Sequence, residues 1–295
     1  MIKIVIKNPQ LIYDYYQDIA DNLFEAIENK QKNNSKITKE LSIMFPSIEE
    51  VRKVLIGNCD ELNKFINQYI SFNVNEEQHN EFTELFNYDS FAAKYRTCIL
   101  AKLDLKICPY CDISPIFVYK DNDKDKIMAT CDHFYLKSKY PILAFSVYNF
   151  VPACYHCNSN LKAKTDFFQI KHIYPYEEEF GNAATFIIEE KDGSFFSGGE
   201  NFTIEIKVND SPLKGKILNS IKTFKIVEKY QNFKDDAKGI LKIINRYSKS
   251  QLKEYSKMEL FVNNNGIIKE FDMIFLETSL HKKFTYDIVK YICTA

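Results

Sequence analysis

CPYC at 108–111 and CYHC at 154–157 are the stretches that decide the fold. Two thiolates at C-x-x-C spacing bite one metal ion, and a second pair completes a tetrahedral sulfur site suited to Zn²⁺. The segment between the pairs is small and polar, with too little apolar surface to stabilise itself. A structural zinc supplies about 10–16 kcal/mol in such sites, as much as the net stability of a whole domain. Cys108, Cys111, Cys154 and Cys157 are therefore the expected zinc ligands. CPYC alone also suits a dithiol oxidoreductase, which needs its first cysteine at a helix N-terminus. Here Asp112, Ser114 and Pro115 lead into a strand-like run, and the second pair decides for metal. Cys59, Cys98, Cys131 and Cys293 lack metal spacing and read as small buried hydrophobes.

Outward from the cysteines lie CDHFYLKSKYP (131–141) and VYNFVPACYHCNSNLKAK (147–164). A helix is expected from Pro152 or Ala153 onward. It would turn Cys154 and Cys157 to the zinc and present Asn158 and Lys162, four apart, on a face about 100° away. Asp132 and Asn158 offer hard oxygen ligands of the kind that suit Mg²⁺ or Mn²⁺. A neutral imidazole at His133 beside such an ion can take a proton from water near pH 7. His156 reads as a loop or helix-surface residue.

In this order, inside a double C-x-x-C frame, the residues resemble the HNH endonucleases, the ββα-metal nucleases, in the variety braced by two C-x-x-C pairs. The resemblance covers about 108–166 and implies a β-hairpin packed on a helix that hydrolyses DNA phosphodiesters with Mg²⁺ or a similar ion. It implies His133 as general base, Asp132 as ligand of the catalytic ion, and Asn149 as the residue that holds the hairpin loop and orients the base. Asn158 takes the final position, where many members carry histidine, as second ligand of that ion. Two departures stand out. Members often have proline shortly after the Asp-His pair, whereas here it waits until Pro141. Many also have lysine three residues after the last motif residue, where this chain has Leu161, with Lys162 and Lys164 beyond. The tract IYPYEEEFG (173–181) is similar to nuclease chains of bacterial phage-defence systems, a context that implies a regulatory partner such as a separate ATPase.

The flanks complete the expected α+β architecture. Residues 2–6 alternate with period two and suggest a short strand. From about 10 to 106 the pattern is helical, with Leu11, Tyr15, Ile19, Leu23 and Ile27 recurring every four residues. Ile116–Tyr119 and Ile127–Ala129 flank the charged turn DNDKDK. FIIEE and FTIEIKV around DGSFFSGGE read as a hairpin with a flexible tip, and helices resume from Pro212. The expected domains are an acidic helical lobe (1–106), a zinc-braced HNH core (107–168) and a hairpin-plus-helices lobe (169–295).

Charge is divided. The net −1 hides fifteen acids against seven bases in 10–90, and twelve bases against four acids in 213–257. Lys234, Lys238, Lys242 and Arg246 step by four into one cationic stripe opposite Ala237, Ile240, Leu241, Ile244 and Tyr247. With Lys137, Lys162 and Lys164 they are the candidate phosphate contacts. Eight glycines and the lack of any G-x-x-x-x-G-K-[ST] or G-x-G-x-x-G argue against an ATPase or Rossmann dehydrogenase. The longest uncharged stretch, Tyr140–Leu161, carries too many polar groups to span a membrane. MIKIVIKNPQ lacks a signal-peptide pattern, so a reducing cytoplasm is expected. The reading is a metal-dependent DNA endonuclease; the alternative is a zinc-stabilised nucleic-acid-binding module without catalysis.

Overall fold

The computed structural model describes residues 1–6, 9–103, 105–122, 124–190, 193–245 and 282–294. It is a mixed helix and strand structure whose sheets are small antiparallel pairs. The chain divides into two compact units. One comprises Lys3–Pro109 and Pro115–Glu178, the other Met1–Ile2, Tyr110–Ser114 and Glu179–Ala295.

The first unit begins with the helices that the four-residue recurrence predicts: α1 (Pro9–Lys32), α2 (Thr38–Met44), α3 (Ile48–Ile56), α4 (Cys59–Ser71), α5 (Glu76–Leu85) and α6 (Tyr88–Leu103). On α1 the buried stripe is Tyr16, Ile19, Ala20, Leu23 and Ile27. Asn58 and Asn75 start α4 and α5 with reciprocal capping boxes to Glu61 and Gln78. Gly57 permits the tight α3–α4 junction, since a Cβ there would meet the Lys53 carbonyl oxygen at 2.2 Å. The apolar faces gather around aromatic rings, with Phe91 of α6 stacked on Phe145 at 4.6 Å. Residues 2–6 are not a strand. Ile4 N–H donates to the Pro175 carbonyl at 2.7 Å, and that one bond is not a ladder.

Two hairpins follow in this unit. β1 (Val118–Asp121) pairs with β2 (Lys124–Ile127), so the charged tract supplies strand residues as well as the turn. β3 (Thr130–His133) pairs with β4 (Phe150–Ala153), setting Asp132 opposite Val151 and His133 opposite Phe150. Pro152 is thus a strand residue and not a helix start. All four residues of β4 are buried, and proline's fixed φ and missing N–H are tolerated in a two-stranded pair with an open edge. The helix begins only after Cys154, and His156–Lys162 is wound as a π-helix instead of the expected α-helix.

In the second unit β5 (Ala184–Glu190) and β6 (Phe202–Val208) form the expected hairpin. Its tip is anchored: Phe195 is fully buried, stacks edge-on against Phe202, and its N–H donates to Glu190 at 2.6 Å. Helices α7 (Lys214–Phe224), α8 (Ile226–Tyr230), α9 (Lys234–Ile244) and α10 (Lys282–Thr294) complete what is described. α10 packs on β5 and α9, and Phe186, Tyr230 and Phe284 form the aromatic centre. No described helix is long and apolar enough to cross a membrane.

Candidate metal centre and hairpin site

The sulfurs of Cys108, Cys111, Cys154 and Cys157 lie within 4.8 Å of one another, and all four residues are buried. Zn–S bonds of about 2.3 Å give a tetrahedron with edges of about 3.8 Å, so the quartet fits a zinc ion with small adjustments. CPYC sits in turns closed by a bridge between Ile107 and Pro115, not at the head of a helix. Asp112, at φ +56°, adopts the left-handed conformation that lets the turn reverse directly after Cys111. In the second pair, Cys157 N–H points to the Cys154 sulfur at 3.5 Å. Cys59, Cys98 and Cys131 stand apart from the quartet and are half-buried, not the fully enclosed hydrophobes expected. Cys59 shares its sulfur with the Tyr135 hydroxyl at 3.2 Å. Burial pushes the Cys131 thiol up to about 12. The Cys293 side chain lies outside the described residues.

Asn149 braces the long β3–β4 connection. Its amide oxygen accepts from Tyr135 N–H at 2.7 Å, and its amide nitrogen donates to the carbonyls of Tyr135 (3.0 Å) and Leu143 (3.1 Å). The tract after the hairpin adds a second brace. Tyr174 donates to the Tyr148 carbonyl at 2.7 Å, and Tyr176 to that of Phe150 at 2.5 Å.

His133 ends β3 and is buried, its ring edge-on to Tyr88 at 4.4 Å and Phe150 at 5.1 Å. Its Nε2 lies 3.2 Å from the Ala144 carbonyl. A carbonyl can only accept, so Nε2 carries the proton and Nδ1 keeps its lone pair. Burial holds the imidazole pKa down at about 3, against the pull of that carbonyl, so the ring is neutral at pH 7.

Asp132 and His133, as neighbours on a strand, project to opposite faces. The Asp132 face meets the π-helix. Asn158 donates to Thr130 Oγ1 at 3.0 Å, while Lys162 donates to Asp132 Oδ1 at 2.7 Å and to the His133 carbonyl at 2.5 Å. The structure therefore brings Asp132 and Asn158 to one strand–helix contact, braces the loop with Asn149, and sets His133 on the other side under Tyr88.

Lys162 is the chief correction. It was a candidate phosphate contact, yet it is 1% exposed and spans the Asp132–His133 pair. As that pair stands, the Asp132 carboxylate is closed to a divalent ion, and the residues do not fit a hydrated Mg²⁺ or Mn²⁺ without a change at Lys162. Nothing local in the sequence signals a contact across thirty residues. Tyr88, Thr130 and the Ala144 carbonyl were equally unmarked.

The other candidate phosphate contacts are on the surface. Lys137 lies 3.7 Å from Asp89 and over the Tyr88 ring, and Lys164 is exposed. On α9 the apolar side is buried as expected at Ala237, Ile240, Leu241 and Ile244. Lys234 lies over the Phe202 ring, Lys238 is bound at 2.8 Å by both Glu200 and Asp235, and Lys242 is exposed. Arg246 and Tyr247 lie outside the described residues. His156 is exposed, as the sequence suggests, with its Nδ1 near the Asn160 amide.

Compared with protein-family models, with curated proteins and with solved structures, the chain matches none.

Proposed function

We propose that the chain is an HNH-type endonuclease that hydrolyses phosphodiester bonds of DNA, with His133 as the base. One observation carries the reading: β3, a braced loop, β4 and a short helix follow one another with Asp132–His133, Asn149 and Asn158 at the strand, loop and helix positions. The π-helix supports it further. Ala163 N–H closes an i to i+5 turn on the Asn158 carbonyl at 2.9 Å. A π-turn takes about one residue more than an α-turn, so the lysine four residues after Asn158 falls near where a lysine three residues on would lie in an α-helix. The departure in spacing is thus absorbed by the winding.

The chain's own groups have defined tasks in this reading. His133 Nδ1 takes the proton of the attacking water, because the Ala144 carbonyl fixes the other nitrogen as N–H. Asn149 holds the loop that carries that carbonyl. Lys164 and Lys137 attract the phosphate backbone. A divalent ion at Asp132 and Asn158 would stabilise charge on the phosphate, but Lys162 holds that carboxylate here. The burial of Asp132 and His133 favours a second reading, a zinc-braced module that binds nucleic acid without cutting it. Plasmid incubated with the zinc-loaded protein and Mg²⁺ separates the two. We expect nicking that chelator abolishes and that His133→Ala reduces about 10²-fold or more. Retained cleavage in His133→Ala would overturn the assignment of the base.

A further inference from the structure

We propose that the β1–β2 hairpin is a stacking platform for the unpaired bases of a single nucleic-acid strand. The proposal rests on the nuclease reading and deepens it, by naming a single-stranded stretch as part of the substrate. The register places Tyr119 opposite Lys126, and the ladder runs on to Met128, whose N–H donates to the Phe117 carbonyl at 2.8 Å. Alternation along each strand then sets Phe117, Tyr119, Lys126 and Met128 on one face. That face is open. Phe117 is 38%, Tyr119 49% and Met128 53% exposed, and Lys126 is exposed beside them. The opposite face turns inward, with Ile116 buried, Ile127 half-buried and β2 packed on α6.

Apolar side chains scattered singly over a surface need no explanation, whereas three gathered on one hairpin face mark an interaction site. The two rings lie 6.4 Å apart and are inclined at 69°, an edge-to-face contact that leaves π-faces open. Every base has a π-face of its own, which makes such rings stacking partners of any sequence. Lys126 supplies a cation across the ladder from Tyr119, in reach of the phosphate that a stacked nucleotide carries. Asp121 closes the same face at the tip, so phosphates are drawn to Lys126 and turned away from the turn. A face of four residues is too small for a protein partner, since stable interfaces use about 20–30 residues a side, but a stacked base needs only one ring. Met128 stands five residues before His133 in the chain. At about 3.4 Å per residue they are no more than about 17 Å apart, or about five base steps. A strand seated on the hairpin is therefore within a few nucleotides of His133.

The test uses the full-length, zinc-loaded protein with an oligo-dT strand and with a blunt duplex. The chain has no tryptophan, so Tyr119→Trp places a single indole on the platform. Its emission should be quenched by the strand and not by the duplex. Phe117→Ala with Tyr119→Ala should weaken strand binding at least about fivefold for each ring, with duplex binding, zinc content and melting profile unchanged. Rings release no counterions, so the salt slope should hold in that variant, whereas Lys126→Gln should make it shallower by about 0.7. Unchanged strand affinity in the double alanine variant, with no quenching of the indole, would overturn the platform and leave the nuclease reading standing. A variant that loses self-association in sedimentation, and not strand affinity, would assign the face to a second copy of the chain and overturn the platform as well. An unaltered chain that binds neither strand nor duplex would overturn both the platform and the nuclease reading.

Discussion

Two buried clusters are served by one short segment, Cys154–Lys162, and they are built in opposite ways. At the first, four cysteine sulfurs converge within 4.8 Å, a group that could hold a structural metal ion such as zinc. At the second, Asp132 is buried against a lysine of the same chain. The first offers its sulfurs to an ion from outside; the second satisfies its carboxylate from within the chain.

The largest expected effect breaks the first half of that comparison. Cys108→Ser or Cys154→Ser removes one of four ligands, and a structural zinc is worth about 10–16 kcal/mol in small sites. Each variant should lose zinc and melt well below the unaltered chain. Full zinc content with an unchanged melting profile would show that the four-sulfur site is wrong.

Next comes the brace of the β3–β4 connection. Asn149→Ala leaves the N–H of Tyr135 and two carbonyls without their partner in a buried loop. Unsatisfied groups of this kind cost about 1–3 kcal/mol each, so the urea midpoint should fall substantially while zinc content holds. A midpoint within error of the unaltered chain would mean that Tyr174 and Tyr176 suffice to hold the loop.

What the sequence revealed follows the same division. The quartet was legible because C-x-x-C is a local chelate: residues three apart converge whatever surrounds them. The α1–α6 helices and the β5–β6 hairpin were legible from periodicity, since Ile19, Leu23 and Ile27 are indeed buried together. Lys162 was misread because its partner lies thirty residues away and its direction depends on a π-winding that no pattern announces. Pro152 was misread because proline both starts helices and ends strands, and the pairing with β3 decides between them. His133 was marked by its neighbours in sequence, but the ring that covers it, Tyr88, comes from α6, which was read as a separate lobe.

A pH titration sharpens the comparison by asking what acid does to groups the chain keeps neutral. His172 is buried, stacked on Phe167 at 3.8 Å, and its Nδ1 faces the Ile170 carbonyl. Burial lowers its pKa from the ordinary 6.5. The unfolded chain therefore takes up a proton before the folded one does. The stabilisation is complete above about pH 6.5 and is lost as pH falls through the unfolded value toward the lower folded one. Urea midpoints should drop between pH 7.5 and 5, and His172→Phe should lessen the drop. An equal drop in that variant would assign the acid sensitivity elsewhere.

The smallest effect concerns lysines at the surface, where the contrast between a committed and an open cation appears again. On α9, Lys238 is paired at the surface with Glu200 and Asp235, whereas Lys242 is exposed and Lys234 overlies the Phe202 ring. A lysine already paired releases few counterions on meeting a phosphate, so the stripe should not act as a set of equal contacts. Each phosphate contact on duplex DNA contributes about −0.9 to the slope of log affinity against log salt. Lys234→Gln with Lys242→Gln should make that slope shallower by nearly 2 and weaken binding about equally for unrelated sequences, as backbone contacts do. Lys238→Gln alone should change it little. If Lys238→Gln flattens the slope as much as the other two, its carboxylate partners give way to DNA. If none of the three changes it, α9 faces only solvent, and the substrate track runs over Lys137 and Lys164.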